Sequence, residues 1–459
     1  MRNLAARMLK TAILTATMAL LLGAVATSAS AREIQVPSKG PGPEQFDSIT
    51  VQQFGPKEPD RVLVLMPGTA GGAGNFTLVA RYLSSRVDGL AVWALDRRSQ
   101  VLEDTTVFEQ ALKDEVTPDE AFDHYLGWLT HPGDVPDHFT FLDTKTVPFA
   151  KKWGMKVALE DARAVVKRAH DAVGKKGEVF LGGHSLGASL SAAYAAWDFD
   201  GRAGYKDVDG IVMIDGGLLG SFDAYDKEQA EEQIASLGEQ PFLDLIGVGI
   251  PEASGLFAEA GAIFGLKQPD NEASTLQNFP LLPADFKPPV PATNEAAFAY
   301  AFDRDTSPAG LALLHVNAGN LSPSGDPRTW IDGGVTYASD LIKGFAQEPA
   351  NGVEWYFPRR LTIDTNGADQ MKQNAVARYL HLRLEHTDEI DIPIYAFQTD
   401  LTNGAVLKGA KKLVKRAETT KKQSMLVDGD PDYSHLDPLL AYPGKNKFSR
   451  TVIKFLRAN

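Results

Sequence analysis

The chain has 459 residues, no cysteine and a net charge of −13, with 46 basic against 59 acidic side chains. Lack of cysteine excludes disulfides, a thiolate nucleophile and a cysteine-ligated metal, and the acidic balance argues against nucleic acid or an anionic membrane surface as partner. The length suffices for a substantial core, as one large elaborated domain or two ordinary ones.

The first 31 residues predict a secretory signal peptide. Arg2, Arg7 and Lys10 precede an apolar stretch over 11–26, and Ala29-Ser30-Ala31 forms a small-residue cleavage site. The stretch is too short and too interrupted by threonine for a stable membrane anchor. Cleavage leaves a mature chain of about 428 residues and takes the net charge from −13 to −16. A cysteine-free exported chain suits a secreted protein, extracellular or periplasmic, of bacterial type.

Residues 32–60 are rich in proline and glycine, with a short edge-strand pattern at 49–54. Arg61–Met66 is a continuous apolar run of the kind that forms a central, doubly covered strand. A glycine-rich loop over 68–74, a helix over 76–86 and a second apolar strand, Leu90–Leu95, follow, which is how a parallel α/β sheet begins. We therefore expect an α/β core over 32–98, 154–217 and 391–459. Two mainly helical insertions, 99–153 and 218–390, interrupt it as a cap.

Within the first insertion, 108–112 and 118–129 read as helical. Within the second, 227–237, 296–302 and 371–384 do so, and the apolar pair 242–250 and 255–264 reads as two cap helices or a mobile apolar lid. In the core, a helix over 156–173 leads into the strand 178–182. A strand at 211–214 ends at Asp215-Gly216-Gly217. Further on come a strand at 392–400, a helix at 406–418, a strand at 423–427 and a C-terminal helix at 447–456.

The chemistry centres on Gly183-His184-Ser185-Leu186-Gly187, set between a buried strand and a small-residue helix. A strand-to-helix turn of this kind lifts a serine hydroxyl clear of the backbone, provided that small residues flank it two positions away. Ser185 needs a base, and the base needs an acid that fixes its tautomer. Of the nine histidines, His435 alone follows a C-terminal strand on a polar loop. His184 sits inside the turn and is expected to point away from the serine hydroxyl. Asp400, directly after the strand preceding the histidine loop, is the favoured acid, and Asp215 is its rival. Asp437 is assigned to ordering the loop. The amides of Leu186 and Thr69 are the expected oxyanion donors. No metal-ligand cluster is present, and the 68–74 loop lacks the G-K-[ST] ending of a phosphate cradle, so neither metal nor cofactor is implied.

The Pro67-Gly68-Thr69 loop, the G-x-S-x-G turn, Asp400 and His435, in that order, resemble the α/β-hydrolase superfamily. The resemblance covers about 60–98, 150–217 and 391–459. It implies an eight-stranded, mostly parallel sheet and acyl transfer to water through a serine ester. One departure is Met66-Pro67-Gly68, where many members carry His-Gly. The expected activity is hydrolysis of carboxylic esters, esterase- or lipase-like, on a small-molecule ester or lipid. Peptidase, amidase or acyltransferase activity on the same fold, and a noncatalytic binding protein, are the alternatives. Oligomeric state is not legible.

Overall fold

Ten strands fall along the described residues: β1 (Arg32–Pro37), β2 (Ser48–Phe54), β3 (Arg61–Met66), β4 (Leu90–Leu95), β5 (Glu178–His184), β6 (Gly210–Ile214), β7 (Gly319–Leu321), β8 (Trp330–Asp332), β9 (Ile394–Gln398) and β10 (Met425–Asp428). The computed structural model describes residues 31–459 except 132, 134, 239 and 417–422. The signal segment expected over 1–31 thus lies outside the described residues, Ala31 apart. From Glu33 to Asn459 the chain is one compact unit.

Eight strands form one sheet in the order β1-β2-β4-β3-β5-β6-β9-β10. The pairings from β4 to β10 are parallel, and β2 runs antiparallel to β4. Residues 32–60 therefore contribute two strands rather than one, and β2 is not the edge, because β1 lies outside it. β4 and β6 are buried along their whole length and β3 nearly so, as their unbroken apolar sequences require of strands covered on both faces. Each valine or leucine buried there contributes roughly 1.5–3 kcal/mol over an exposed one.

The helices Met155–Val173 and Leu186–Ala196 pack on the same core, and the helix Lys447–Ala458 packs Phe455 against β5 and β9. Among the described residues, 99–153 and 218–390 add no strand to the large sheet. They supply the helices Thr106–Leu112, Pro118–Tyr125, Lys227–Ser236, Ala253–Lys267, Asn294–Phe302 and Ala338–Phe345 and the small β7–β8 pair.

Only the second of the two apolar segments in this region is a helix, Ala253–Lys267. The segment 242–250 is a loop: the Asp244 carboxylate accepts from the amides of Gly247, Val248 and Gly249, and Gly247 and Gly249 sit at φ of 72° and 82°. An aspartate that captures three amides competes directly with helix formation. Among the described residues no helix is long and apolar enough to cross a membrane.

The register decides where the chemistry collects. Met66 pairs with Gly183, His184 with Ile214, and Ile214 with Phe397. The C-terminal ends of β3, β5, β6 and β9 therefore line up, and the residues that follow them share one edge of the sheet.

Candidate active site

Ser185 stands between β5 and the helix Leu186–Ala196, with φ 55° and ψ −120°, a conformation that costs an L-residue on the order of 1–3 kcal/mol. Its amide donates to the Ile214 carbonyl at 2.8 Å, which ties the turn to the neighbouring strand. Close approach to β3 requires glycine after it. A Cβ on Gly187 would stand 2.0 Å from the Met66 carbonyl oxygen.

His435 is nearly fully buried, and its Nδ1 lies 2.5 Å from Asp215 Oδ2. The tautomer with the proton on Nδ1 donates to that carboxylate and leaves Nε2 free to accept. Asp215 follows β6, is 0% exposed and adopts φ 46°. Burial alone would push its pKa up. The hydrogen bond and charge of His435, together with donations from the Thr399 amide and hydroxyl, outweigh burial and hold it below the usual carboxylate range.

The favoured acid, Asp400, does not meet His435. Its side chain is 34% exposed, accepts from Ser434 Oγ at 3.0 Å and pairs with Arg304 at 3.3 Å. At the end of β9 it is Thr399, one residue earlier, that reaches inward, and it does so as a donor to Asp215. The structure thus puts the rival, Asp215, in the place expected of Asp400.

Asp437 holds the histidine loop, as expected. Its carboxylate accepts from the Ser434 amide at 2.6 Å, the Thr336 hydroxyl at 2.5 Å and the Asn317 amide at 3.1 Å. The Leu436 amide donates to the His315 carbonyl at 3.0 Å. The second insertion therefore braces His435 from outside the core.

His184 has a part that its neighbouring position did not suggest. Its Nε2 donates to the His435 carbonyl at 2.8 Å, and the two rings lie 4.4 Å apart, tilted by 42°. Burial, then the charge of His435, pushes its pKa down to about 3, so it stays neutral as a support for the His435 backbone.

Of the two expected oxyanion donors, Leu186 directly follows Ser185 and Thr69 lines the cavity that Ser185 lines. Leu186 opens its helix, so its amide has no intrahelical acceptor. Thr69 lies in a turn closed by the Gly71 amide on the Gly68 carbonyl at 3.2 Å. Ser185, His435 and Thr69 all line one cavity of about 1240 Å³, its open mouth included. Its other walls are mostly apolar: Phe257, Ala258 and Gly261 from one cap helix, Phe298 and Phe302 from the next, and Phe345. Arg97 carries no motif, and its only signal in the sequence is its position just after β4, on the sheet edge that holds the 68–74 loop.

Two buried carboxylates around this site make stability depend on pH. Burial pushes Asp96 up to about 7 in spite of hydrogen bonds from the Ala73 amide and Asn351, and it pushes Asp437 up to about 7 in spite of its three donors. Each binds its proton more tightly folded than unfolded. Their contribution is full below about pH 4 and is lost as pH rises toward about 7. Asp215, shifted the other way, contributes above about pH 4 and loses that contribution as pH falls. Thermal unfolding should show a higher Tm near about pH 5 than near about pH 8, with Asp96→Asn narrowing the gap. An unaltered gap in that variant would remove Asp96 as its source.

No protein-family profile and no curated protein matches the chain. Among solved structures, the putative lipase from Sulfolobus solfataricus superposes with a TM-score of 0.51 at 15% identity, over 95% of this chain and 98% of that one. A thermophilic esterase from Thermogutta terrifontis matches with a TM-score of 0.41 at 12% identity, covering 93% and 99%. An epoxide hydrolase from Vigna radiata matches with 0.42 at 12%, covering 94% and 98%. At such identities the likeness speaks of fold. Taken with the order of the eight strands and the strand-to-helix turn that carries Ser185, the likeness to the first of these gives the chain an α/β-hydrolase fold.

Proposed function

We propose that the protein is an exported serine hydrolase that cleaves carboxylic esters through an acyl-enzyme, with Ser185 as nucleophile, His435 as base and Asp215 as the acid behind it. The observation that carries this reading is the buried His435–Asp215 pair on the wall of the cavity that also holds the strained Ser185 turn. In this scheme Ser185 Oγ attacks the ester carbonyl while His435 Nε2 takes its proton. Asp215 holds the Nδ1 proton and stabilises the imidazolium. The Thr69 and Leu186 amides receive the oxyanion, and His435 returns the proton to the departing alcohol. Water then repeats the sequence on the acyl-serine.

The apolar walls favour the acyl chain as the group held. A lipid or other ester with a long acyl part is therefore the preferred substrate class. Each buried methylene is worth about 0.8 kcal/mol, so kcat/KM should rise by up to about fourfold per added carbon until the cavity is filled.

The test is turnover of p-nitrophenyl esters from acetate to palmitate beside aminoacyl p-nitroanilides, with Ser185→Ala as control and fluorophosphonate labelling of the serine. Ester hydrolysis that climbs with chain length and vanishes in the control is the expected result. Turnover of the anilides alone would reassign the chain as a peptidase. A folded protein that neither labels nor turns over would be a binding protein of this fold.

A further inference from the structure

We propose that Arg97, backed by Glu354, is a positioning residue that aims the oxyanion loop. The inference rests on the serine hydrolase reading above. Within the 68–74 loop the chain makes little structure of its own, chiefly the turn from Gly68 to Gly71. Arg97 ties down its first turn. Arg97 Nη2 donates to the Pro67 carbonyl at 2.5 Å and to the Gly68 carbonyl at 2.9 Å, and Nη1 reaches the Gly71 carbonyl at 3.4 Å. Nη1 also donates to Glu354 Oε2 at 2.5 Å. One guanidinium thus gathers three carbonyls and one carboxylate.

The consequence follows from peptide geometry. The Gly68 carbonyl and the Thr69 N–H belong to one planar trans unit and point in opposite directions. Drawing the Gly68 oxygen back onto Arg97 turns the Thr69 N–H the other way. Gly68 itself lies against the serine turn, since a Cβ on it would stand 3.0 Å from Ser185 Cβ, and Thr69 lines the same cavity as Ser185. The guanidinium therefore fixes the direction of the amide that receives the oxyanion, without itself touching substrate.

Glu354 makes the arrangement a two-sided clamp. Its side chain is 1% exposed and that of Arg97 8%, and the Ser99 hydroxyl donates to its second oxygen. Its amide donates to the Ala70 carbonyl at 3.0 Å, while the Gly72 amide donates to the Gly352 carbonyl at 3.3 Å. The second insertion is thereby stitched to the loop. A lysine cannot replace the arginine here, since a single ammonium lacks the planar fork that serves several acceptors at once.

The test compares Arg97→Lys, Arg97→Met and Glu354→Gln with wild type in kcat and KM for a p-nitrophenyl ester. Inhibition by an alkyl boronic acid, whose serine adduct places an anionic oxygen where the oxyanion forms, provides a second readout. Loss of one aimed donor predicts a fall in kcat of about 10²-fold for Arg97→Met and about tenfold for Arg97→Lys, with KM within about threefold. The boronate Ki should rise in step with the loss of kcat, which a purely structural brace would not produce. Should Arg97→Met fail to fold, Arg97→Lys carries the decision. Wild-type kcat and Ki in folded Arg97→Lys, or a change confined to KM, would overturn the proposal. If wild type itself neither labels at Ser185 nor cleaves esters, it is the serine hydrolase reading that fails.

Discussion

Asp215→Asn is expected to lower ester turnover by about 10⁴-fold, while Asp400→Asn stays within about threefold of wild type. The asymmetry is that of their surroundings. Asp215 Oδ2 accepts from the His435 ring, and its two oxygens also take both donors of Thr399. An asparagine amide at that oxygen would donate to Nδ1 and force the imidazole proton onto Nε2, which leaves no base for Ser185. The shape of the side chain is kept, so the variant should fold. Its fluorophosphonate labelling should slow along with turnover. Asp400 loses at most a hydrogen bond from Ser434 and a half-exposed pair with Arg304. A steep loss in Asp400→Asn with Asp215→Asn near wild type would return the role to Asp400.

These two aspartates show what the sequence could and could not express. The apolar runs at Arg61–Met66, Leu90–Leu95 and residues 211–214 are legible because a strand buried on both faces has no polar side to interleave. The Ser185 turn is legible because its geometry admits few residue types on either side. Both acids stand after neighbouring strands, β6 and β9, and serve equally well on the order of elements alone. What separates them is a positive φ at Asp215 and the inward turn of Thr399, which are three-dimensional facts. Composition misleads at 242–250, where an apolar run hides Asp244 capturing three amides. It misleads again at Arg32–Pro37, where a strand at the sheet's rim needs no apolar continuity. The supports of the site, His184 and Arg97, act through backbone carbonyls, and a carbonyl has no signature in the sequence.

Gly187→Ala is expected to damage activity out of proportion to stability. The new Cβ would meet the Met66 carbonyl oxygen at 2.0 Å, its carbon at 2.7 Å and the Pro67 oxygen at 2.9 Å. All three are backbone atoms, at the end of a central strand, with no flexible tip to swing aside. The helix that Leu186 opens must rise from the sheet, or Met66 and Pro67 must retreat. The strain should cost about 1–3 kcal/mol and lower Tm accordingly. Either movement also separates the two proposed oxyanion donors, the Leu186 amide on the helix and Thr69 two residues beyond Pro67. A misplacement of about 1 Å in such a site is worth about 10²-fold in rate, so kcat should fall by at least that factor in protein that remains folded. Gly310→Ala is the matched control, because nothing lies within 4 Å of a Cβ there. Wild-type kcat in a folded Gly187→Ala would mean that strand and helix tolerate separation, and that the glycine is not what brings the serine turn against β3.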